Sequence, residues 1–317
     1  MATSVATIVT TMSTKLPTLI VVVGPTGSGK TDLAVELARR LGTEIISTDS
    51  RQFYRGMPIG TAQPEEHHLE AVRHHFIADR RPEDDLSSGA YEREALERLE
   101  EIFHTHTTAV AVGGSGLYID ALCRGFDDLP SDTAEVRAEL MQRLENEGLE
   151  ALVEELHTRD EAHWEVVDRH NPARVVRALE VCITTGRPYS EQRTAPQHQR
   201  PFNILKIALQ WPREELYDRI NRRVDLMMEA GLEEEARKLY PLRHLNALQT
   251  VGYKELFEWF DGNISREEAV ELIKRNSRRY AKRQMTWFRR DDTIHWIERC
   301  DVEQAWKVVS EILTLNE

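Results

Sequence analysis

Apolar positions along the chain switch between two periods, and the switches mark out its elements. Residues 19–23 (Leu-Ile-Val-Val-Val) form an unbroken apolar run rich in β-branched side chains, the pattern of a strand covered on both faces. Residues 32–41 follow with apolar side chains at helical spacing, and residues 44–47 and 108–112 read as two further short strands. Between these strands, residues 57–86 are polar. Residues 87–104 predict an amphipathic helix through Ala90, Tyr91, Ala95, Leu99 and Ile102. From 127 to about 200 the pattern is helical throughout. One helix, 132–146, has a stripe through Val136, Leu140 and Leu144 with Arg137 at its edge, and Gly148 ends it. Another opens at Asn171-Pro172, a cap followed by proline in the first turn. Val175, Val176, Leu179, Cys182 and Ile183 form its apolar face, and Arg174 and Arg177 lie together on the other side. Residues 204–209, bounded by Pro201 and Pro212, read as a returning strand. A long helix over 213–240 carries Leu216, Ile220, Val224 and Met227. The last begins at Ser265, with Glu268 completing a capping box and Ala269, Ile273, Tyr280 and Trp287 inward. Strands alternating with helices predict an α/β fold with a parallel sheet.

The step from the first strand to the first helix carries the most chemistry. It reads Gly24-Pro25-Thr26-Gly27-Ser28-Gly29-Lys30-Thr31, a phosphate-cradling P-loop. Its glycines let backbone N–H groups point inward, and the following helix adds its positive dipole end. Lys30 supplies a charge for phosphate oxygens and the Thr31 hydroxyl a ligand for Mg2+. The predicted architecture is therefore a P-loop NTPase-like sheet, 17–126 with 201–317, interrupted by a helical insertion at 127–200 and preceded by a flexible tail, 1–16. Asp49, just past the second strand, stands where ligands collect in open α/β sheets; it reads either as a base or metal partner, or as an ordinary turn cap. The third strand ends in Gly113-Gly114-Ser115-Gly116 instead of the aspartate of a nucleotide-hydrolysing motor, and that glycine pair is expected to let a substrate approach the backbone. Arg223 falls inside an apolar stripe, so it needs an anion: a structural carboxylate or a bound phosphate.

Composition narrows the class. The 317 residues are 40% hydrophobic and 30% charged, which suits one large or two modest soluble domains, and no apolar run reaches the length of a membrane span. Cys123, Cys182 and Cys300 show no paired spacing, which fits a reducing cytoplasm better than disulfides or a zinc site. The pairs His67-His68 and His74-His75 lack a ligand framework and are expected to be solvated. A net charge of −13 argues against a polyanion partner, with one local exception. Residues 266–290 hold nine Lys/Arg against three Glu, with Lys274, Arg275, Arg278, Arg279 and Lys282 on one face, which favours contact with a nucleic-acid backbone.

Several longer stretches carry a resemblance. They are the P-loop, residues 47–57 (Ser-Thr-Asp-Ser-Arg-Gln-Phe-Tyr-Arg-Gly-Met), 59–62 (Ile-Gly-Thr-Ala), 113–118 (Gly-Gly-Ser-Gly-Leu-Tyr), 171–180 (Asn-Pro-Ala-Arg-Val-Val-Arg-Ala-Leu-Glu), 251–253 (Val-Gly-Tyr) and 282–288 (Lys-Arg-Gln-Met-Thr-Trp-Phe). In this order they resemble the bacterial tRNA dimethylallyltransferases, over residues from about 16 to 298. The resemblance implies transfer of a dimethylallyl group from dimethylallyl diphosphate to N6 of adenine 37 beside the tRNA anticodon, in tRNAs reading codons that begin with U. It implies that the P-loop holds a departing diphosphate with Mg2+ on Thr31, that Asp49 is the general base, and that Lys30, Thr31 and Arg223 neutralise the leaving group. Ser50, Arg51, Gln52, Phe53, Ser115 and Arg137 match tRNA-contacting positions; Ser115 stands where the family usually has threonine. So do Ala173, Arg174, Val175, Val176 and Arg177, and Gln249, Thr250, Val251, Gly252, Tyr253 and Lys254. A cytoplasmic monomer acting on the anticodon stem-loop, with no membrane partner, is the expected state. Competing readings are an isopentenyltransferase for free adenylate, a small-molecule P-loop kinase, and a non-catalytic RNA chaperone.

Overall fold

The computed structural model describes residues 16–127, 129–130, 133–193 and 198–315. In chain order the elements are β1 (Thr18–Val23), α1 (Lys30–Leu41), β2 (Ile45–Ser47), α2 (Glu66–Ala71), β3 (His74–His75), α3 (Ser88–Phe103), β4 (Thr108–Gly113) and α4 (Gly116–Arg124). Then come α5 (Ala134–Glu147), α6 (Leu149–Arg159), α7 (Glu161–Val166), α8 (Pro172–Thr185) and α9 (Tyr189–Gln192). The chain closes with β5 (Asn203–Gln210), α10 (Arg213–Glu229), α11 (Leu232–Leu239), α12 (Tyr253–Phe260), α13 (Arg266–Phe288), β6 (Ile294–Glu298) and α14 (Val302–Leu315). By internal contacts the chain forms two units, 1–123 with 200–317, and 124–199. The tail read over 1–16 lies outside the described residues except for Leu16.

The first unit is built on a six-stranded, all-parallel sheet in the order β3-β2-β4-β1-β5-β6. β1 is central, paired in register with β4 (Val23 opposite Gly113) and with β5 (Val23 opposite Ala208). Its apolar run is explained by burial on both faces. Leu19, Val21 and Val23 face a layer that includes Tyr91, Leu99 and Phe288, whereas Ile20 and Val22 face Leu33, Leu37 and Val309. At the insertion's return, Arg200 donates to the carbonyls of Leu122 (2.9 Å) and Ala121 (2.6 Å) and pairs with Glu92 (2.7 Å). The second unit is helical, around Leu140, Leu152, Leu156, Val175, Val176 and Leu179. Asn171 caps α8 by accepting the Arg174 N–H at 3.3 Å.

Residues 57–86, polar in the sequence, contain α2 and the edge strand β3, too short for any period to register. Three expectations are corrected. The histidines there are mostly not solvated: His68 bonds to Asp32 (2.8 Å) and His75 to Glu44 (2.6 Å), burial lowers the proton affinity of His74 and His75, and only His67 is exposed. The helix over 213–240 is two helices, because Gly231 adopts φ 99°, a left-handed turn that stops the first and opens the second. Trp287 is not inward on α13. A strict seven-residue step drifts about 20° per repeat around a 3.6-residue helix, so the buried stripe passes to Ala281, Gln284 and Phe288.

Candidate active site

The P-loop joins the centre of the sheet to α1. Gly29 caps that helix at φ 90°, a conformation that leaves the first-turn amides turned toward the loop's concavity. The loop's outer side is fastened by α10 and the residues before it. Arg219 donates to the Gly27 carbonyl (2.8 Å) while its guanidinium lies 4.3 Å over Trp211, whose indole N–H donates to the Ser28 carbonyl (3.0 Å). The loop opens on a cleft of about 1230 Å³, lined also by Asp49, Ser50, Gly114, Ser115, Arg223 and Tyr280.

Two half-buried cations line this cleft. Burial pulls the Lys30 ammonium down to about 8; Asp49 acts through space to raise it, and Arg223 lowers it further. Burial likewise lowers the Arg223 guanidinium, against the opposing pull of Asp49. Arg223 donates to the Thr26 hydroxyl at 3.2 Å and makes no ion pair among the described residues, so of the two sequence-level alternatives a structural carboxylate bridge is not what holds it. Asp49 faces both cations from the end of β2. Its Oδ1 accepts the Arg51 N–H (3.2 Å), and its own N–H donates to Ser47 Oγ (3.3 Å), a turn-cap arrangement that coexists with its place in the cleft. Tyr280 is pushed up to about 12, by burial first and by Asp49 second. The site is thus short of negative charge, as a pocket for a polyphosphate should be.

No cluster of three His, Cys, Asp or Glu suited to a metal exists among the described residues. Thr31 lines the cleft beside the phosphate loop and Asp49 lines it from β2. So sparse an oxygen set fits Mg2+, which keeps most of its water and is held chiefly through phosphate oxygens.

The expectation that Gly113 and Gly114 admit a substrate is corrected. A Cβ on Gly113 would lie 2.2 Å from Thr48 Oγ1, and one on Gly114 2.2 Å from Gln284 Nε2. The protein's own side chains fill that space. Gly116 serves α13 in the same way, since a Cβ there would lie 2.5 Å from the Trp287 ring.

The other sequence-marked residues fall into three groups. Ser50, Arg51, Gln52, Ser115, Gln249, Thr250, Val251, Gly252 and Lys254 line the cleft with the P-loop residues Thr26, Gly27, Gly29, Lys30 and Thr31. Within this group Ser115 Oγ accepts the Ser50 N–H (3.0 Å), and Arg51 donates to the Asn246 carbonyl (2.7 Å). Gln52 donates to the Ala62 carbonyl (2.8 Å), and Gln249 to the Arg243 carbonyl (2.7 Å). Phe53 and Tyr253 are fully buried. Phe53 stacks on Tyr91, and the Tyr253 hydroxyl donates to Glu235 (2.6 Å), so their side chains have no access to a ligand. Arg137, Ala173, Arg174, Val175, Val176 and Arg177 belong to the second unit. Val175 and Val176 are core there, Ala173 and Arg174 are exposed, and Arg137 (3.1 Å) and Arg177 (2.6 Å) share the buried carboxylate of Glu180. Sequence reading missed Arg219 and Gln284 as parts of the site. A glutamine on a buried helical face was the available signal for the second.

The chain matches the IPP transferase family over residues 52–291. It is 53% identical over 285 residues to "tRNA dimethylallyltransferase 2" of Porphyromonas gingivalis, covering 90% of this chain and 95% of that one. It is 50% identical over 299 residues to "tRNA dimethylallyltransferase 1" of Phocaeicola vulgatus, covering 94% and 99%. The fold superposes on the full-length tRNA isopentenylpyrophosphate transferase of Bacillus halodurans with a TM-score of 0.70 at 37% identity, covering 95% and 98%. It also superposes on a eukaryotic dimethylallyltransferase acting on tRNA, with a TM-score of 0.76 at 26% identity over 91% of this chain and 75% of that one. With a P-loop, a facing carboxylate and two half-buried cations on that shared fold, the chain belongs to the tRNA dimethylallyltransferase family.

Proposed function

We propose that the chain transfers the dimethylallyl group of dimethylallyl diphosphate to N6 of adenine 37, in tRNAs reading codons that begin with U. The observation that carries this reading is the charge arrangement of the cleft: Lys30 and Arg223 half-buried around the P-loop, with Asp49 opposite them. The diphosphate binds to the loop amides and Lys30, and its free end meets Arg223. Asp49 accepts the N6 proton as N6 bonds to the prenyl C1 and the C1–O bond breaks, with that bonding pair leaving on the diphosphate. Thr31 would hold Mg2+, whose charge lowers the cost of building negative charge on the departing oxygen. The adenine enters everted from the anticodon loop, where a base can be splayed out without breaking a duplex.

Exposed Arg275, Arg279 and Lys282 on α13 make no ion pair among the described residues and are suited to tRNA phosphates. Lys274 instead pairs with Asp225 (2.7 Å) and Arg278 bonds to Asn221, so these two are less available. We take the enzyme to act as a monomer. Among the described residues no helix is long and apolar enough to cross a membrane; we place the enzyme in the cytoplasm with its tRNA. The test is incubation with labelled dimethylallyl diphosphate and an anticodon stem-loop, followed by mass analysis of the nucleosides. N6-(dimethylallyl)adenosine with released diphosphate supports the reading. Consumption of ATP with no prenylated base would favour a kinase and overturn it, and prenylation of free adenylate alone would shift the acceptor.

A further inference from the structure

An uncharged side chain on α13 reaches into the donor site and uses both ends of its amide there. Gln284 is 5% exposed. Its Oε1 accepts the Thr26 N–H at 2.9 Å, and its Nε2 donates to the Gly114 carbonyl at 2.9 Å. Thr26 is therefore gripped from two helices, its amide by Gln284 and its hydroxyl by Arg223 of α10. One turn earlier on α13, Tyr280 lines the same cleft as Ser115, which accepts the Ser50 N–H beside Asp49. A short length of α13 thus touches the loop that holds the leaving group and the end of β4, and borders the cleft wall that carries the carboxylate.

An apolar residue could not bridge these groups. The Thr26 N–H needs an acceptor and the Gly114 carbonyl needs a donor, and a buried group left without its partner is costly. Glutamine supplies both from one planar head, so the two loops are held at a separation set by a single amide. That separation matters because group transfer falls off steeply when reacting groups are misplaced by about an ångström.

We propose that Gln284 is a positioning residue for prenyl transfer: it holds Thr26, and with it the diphosphate-binding amides, at a fixed distance from Asp49. The inference rests on the reading that the P-loop holds the leaving diphosphate. The test uses the full chain with Gln284→Leu and Gln284→Glu, measuring affinity for inorganic diphosphate with Mg2+, affinity for an anticodon stem-loop, and turnover. In Gln284→Leu, diphosphate affinity and kcat should each fall roughly tenfold to a hundredfold, with stem-loop affinity unchanged. Gln284→Glu adds a signature that a merely structural side chain would not give. Protonated, its carboxyl accepts from Thr26 and donates to Gly114 as the amide does. Ionised, it opposes both the Gly114 carbonyl and the diphosphate. Its diphosphate affinity relative to wild type should therefore recover toward one as pH falls through the raised pKa of a buried carboxyl. Wild-type diphosphate affinity in Gln284→Leu, or a pH-independent ratio in Gln284→Glu, overturns the proposal. If Gln284→Leu does not fold, the Gln284→Glu ratio decides alone. A wild-type chain that binds diphosphate but moves no prenyl group to the stem-loop overturns the functional reading itself, and is told apart by needing neither variant.

Discussion

Replacing Lys30 by methionine should make the ligand-free protein more stable at pH 7 and unable to hold diphosphate. The half-buried ammonium is pulled by desolvation to about 8, from 10.5. At about 1.4 kcal/mol per tenfold change in proton affinity, holding that charge costs the folded state about 3 kcal/mol at neutral pH. Methionine keeps most of the stem and removes the charge. Between pH 8 and 10.5 the unfolded chain keeps a proton that the folded chain has released, so wild-type stability rises with pH there. Lys30→Met has no such step, and its advantage should be about 3 kcal/mol at pH 7 and shrink across that window. Diphosphate with Mg2+ reverses the order: at about 1,000 times its Kd it should stabilise wild type by about 4.1 kcal/mol and leave the variant unmoved. Urea unfolding of both proteins at pH 7 and pH 10, with and without diphosphate, measures every quantity. A variant no more stable than wild type at pH 7, or an advantage that does not change with pH, would show that Lys30 is not held against a desolvation cost.

Asp49→Ala should lower kcat by about 10²–10⁴ with stem-loop affinity intact; single-turnover rates equal to wild type would remove Asp49 from proton transfer. Replacing exposed Arg279 and Lys282 of α13 by alanine should flatten the salt dependence of stem-loop binding by about 0.9 in log–log slope per lost phosphate contact, and an unchanged slope would clear that face of RNA contact. Glu235 is buried and accepts from the Ile59 N–H (2.9 Å), the Gly60 N–H (2.8 Å) and the Tyr253 hydroxyl (2.6 Å). Glu235→Ala strands all three and should cost about 3 kcal/mol or more in urea unfolding, whereas a loss below about 1 kcal/mol would refute that role.

What the sequence disclosed follows from how local each signal is. β1, the P-loop and α1 are contiguous, so their period, glycines and capping all speak within 25 residues, and the structure matches them closely. Arg223 was visible because a charge broke an apolar stripe. By contrast β3 is two residues long, and β6 and α14 carried no motif to single them out. The burial of His68 and His75 depends on Asp32 and Glu44, carboxylates more than 30 positions away, which no local window contains. Gln284 and Thr26 are 258 positions apart, and their bond exists only because α13 packs over Gly114. The glycines after β4 illustrate the same limit: the sequence shows that room is made, but only the packed chain shows which occupant takes it.

Arg200 has a consequence for how such a chain could be remodelled. Its guanidinium draws the point where residues 124–199 rejoin the core onto the last carbonyls of α4, beside the point of departure. The excursion is a closed detour with a latched doorway, and β5 begins three residues past the latch. Any segment put in place of residues 124–199 would start and end at that same latch.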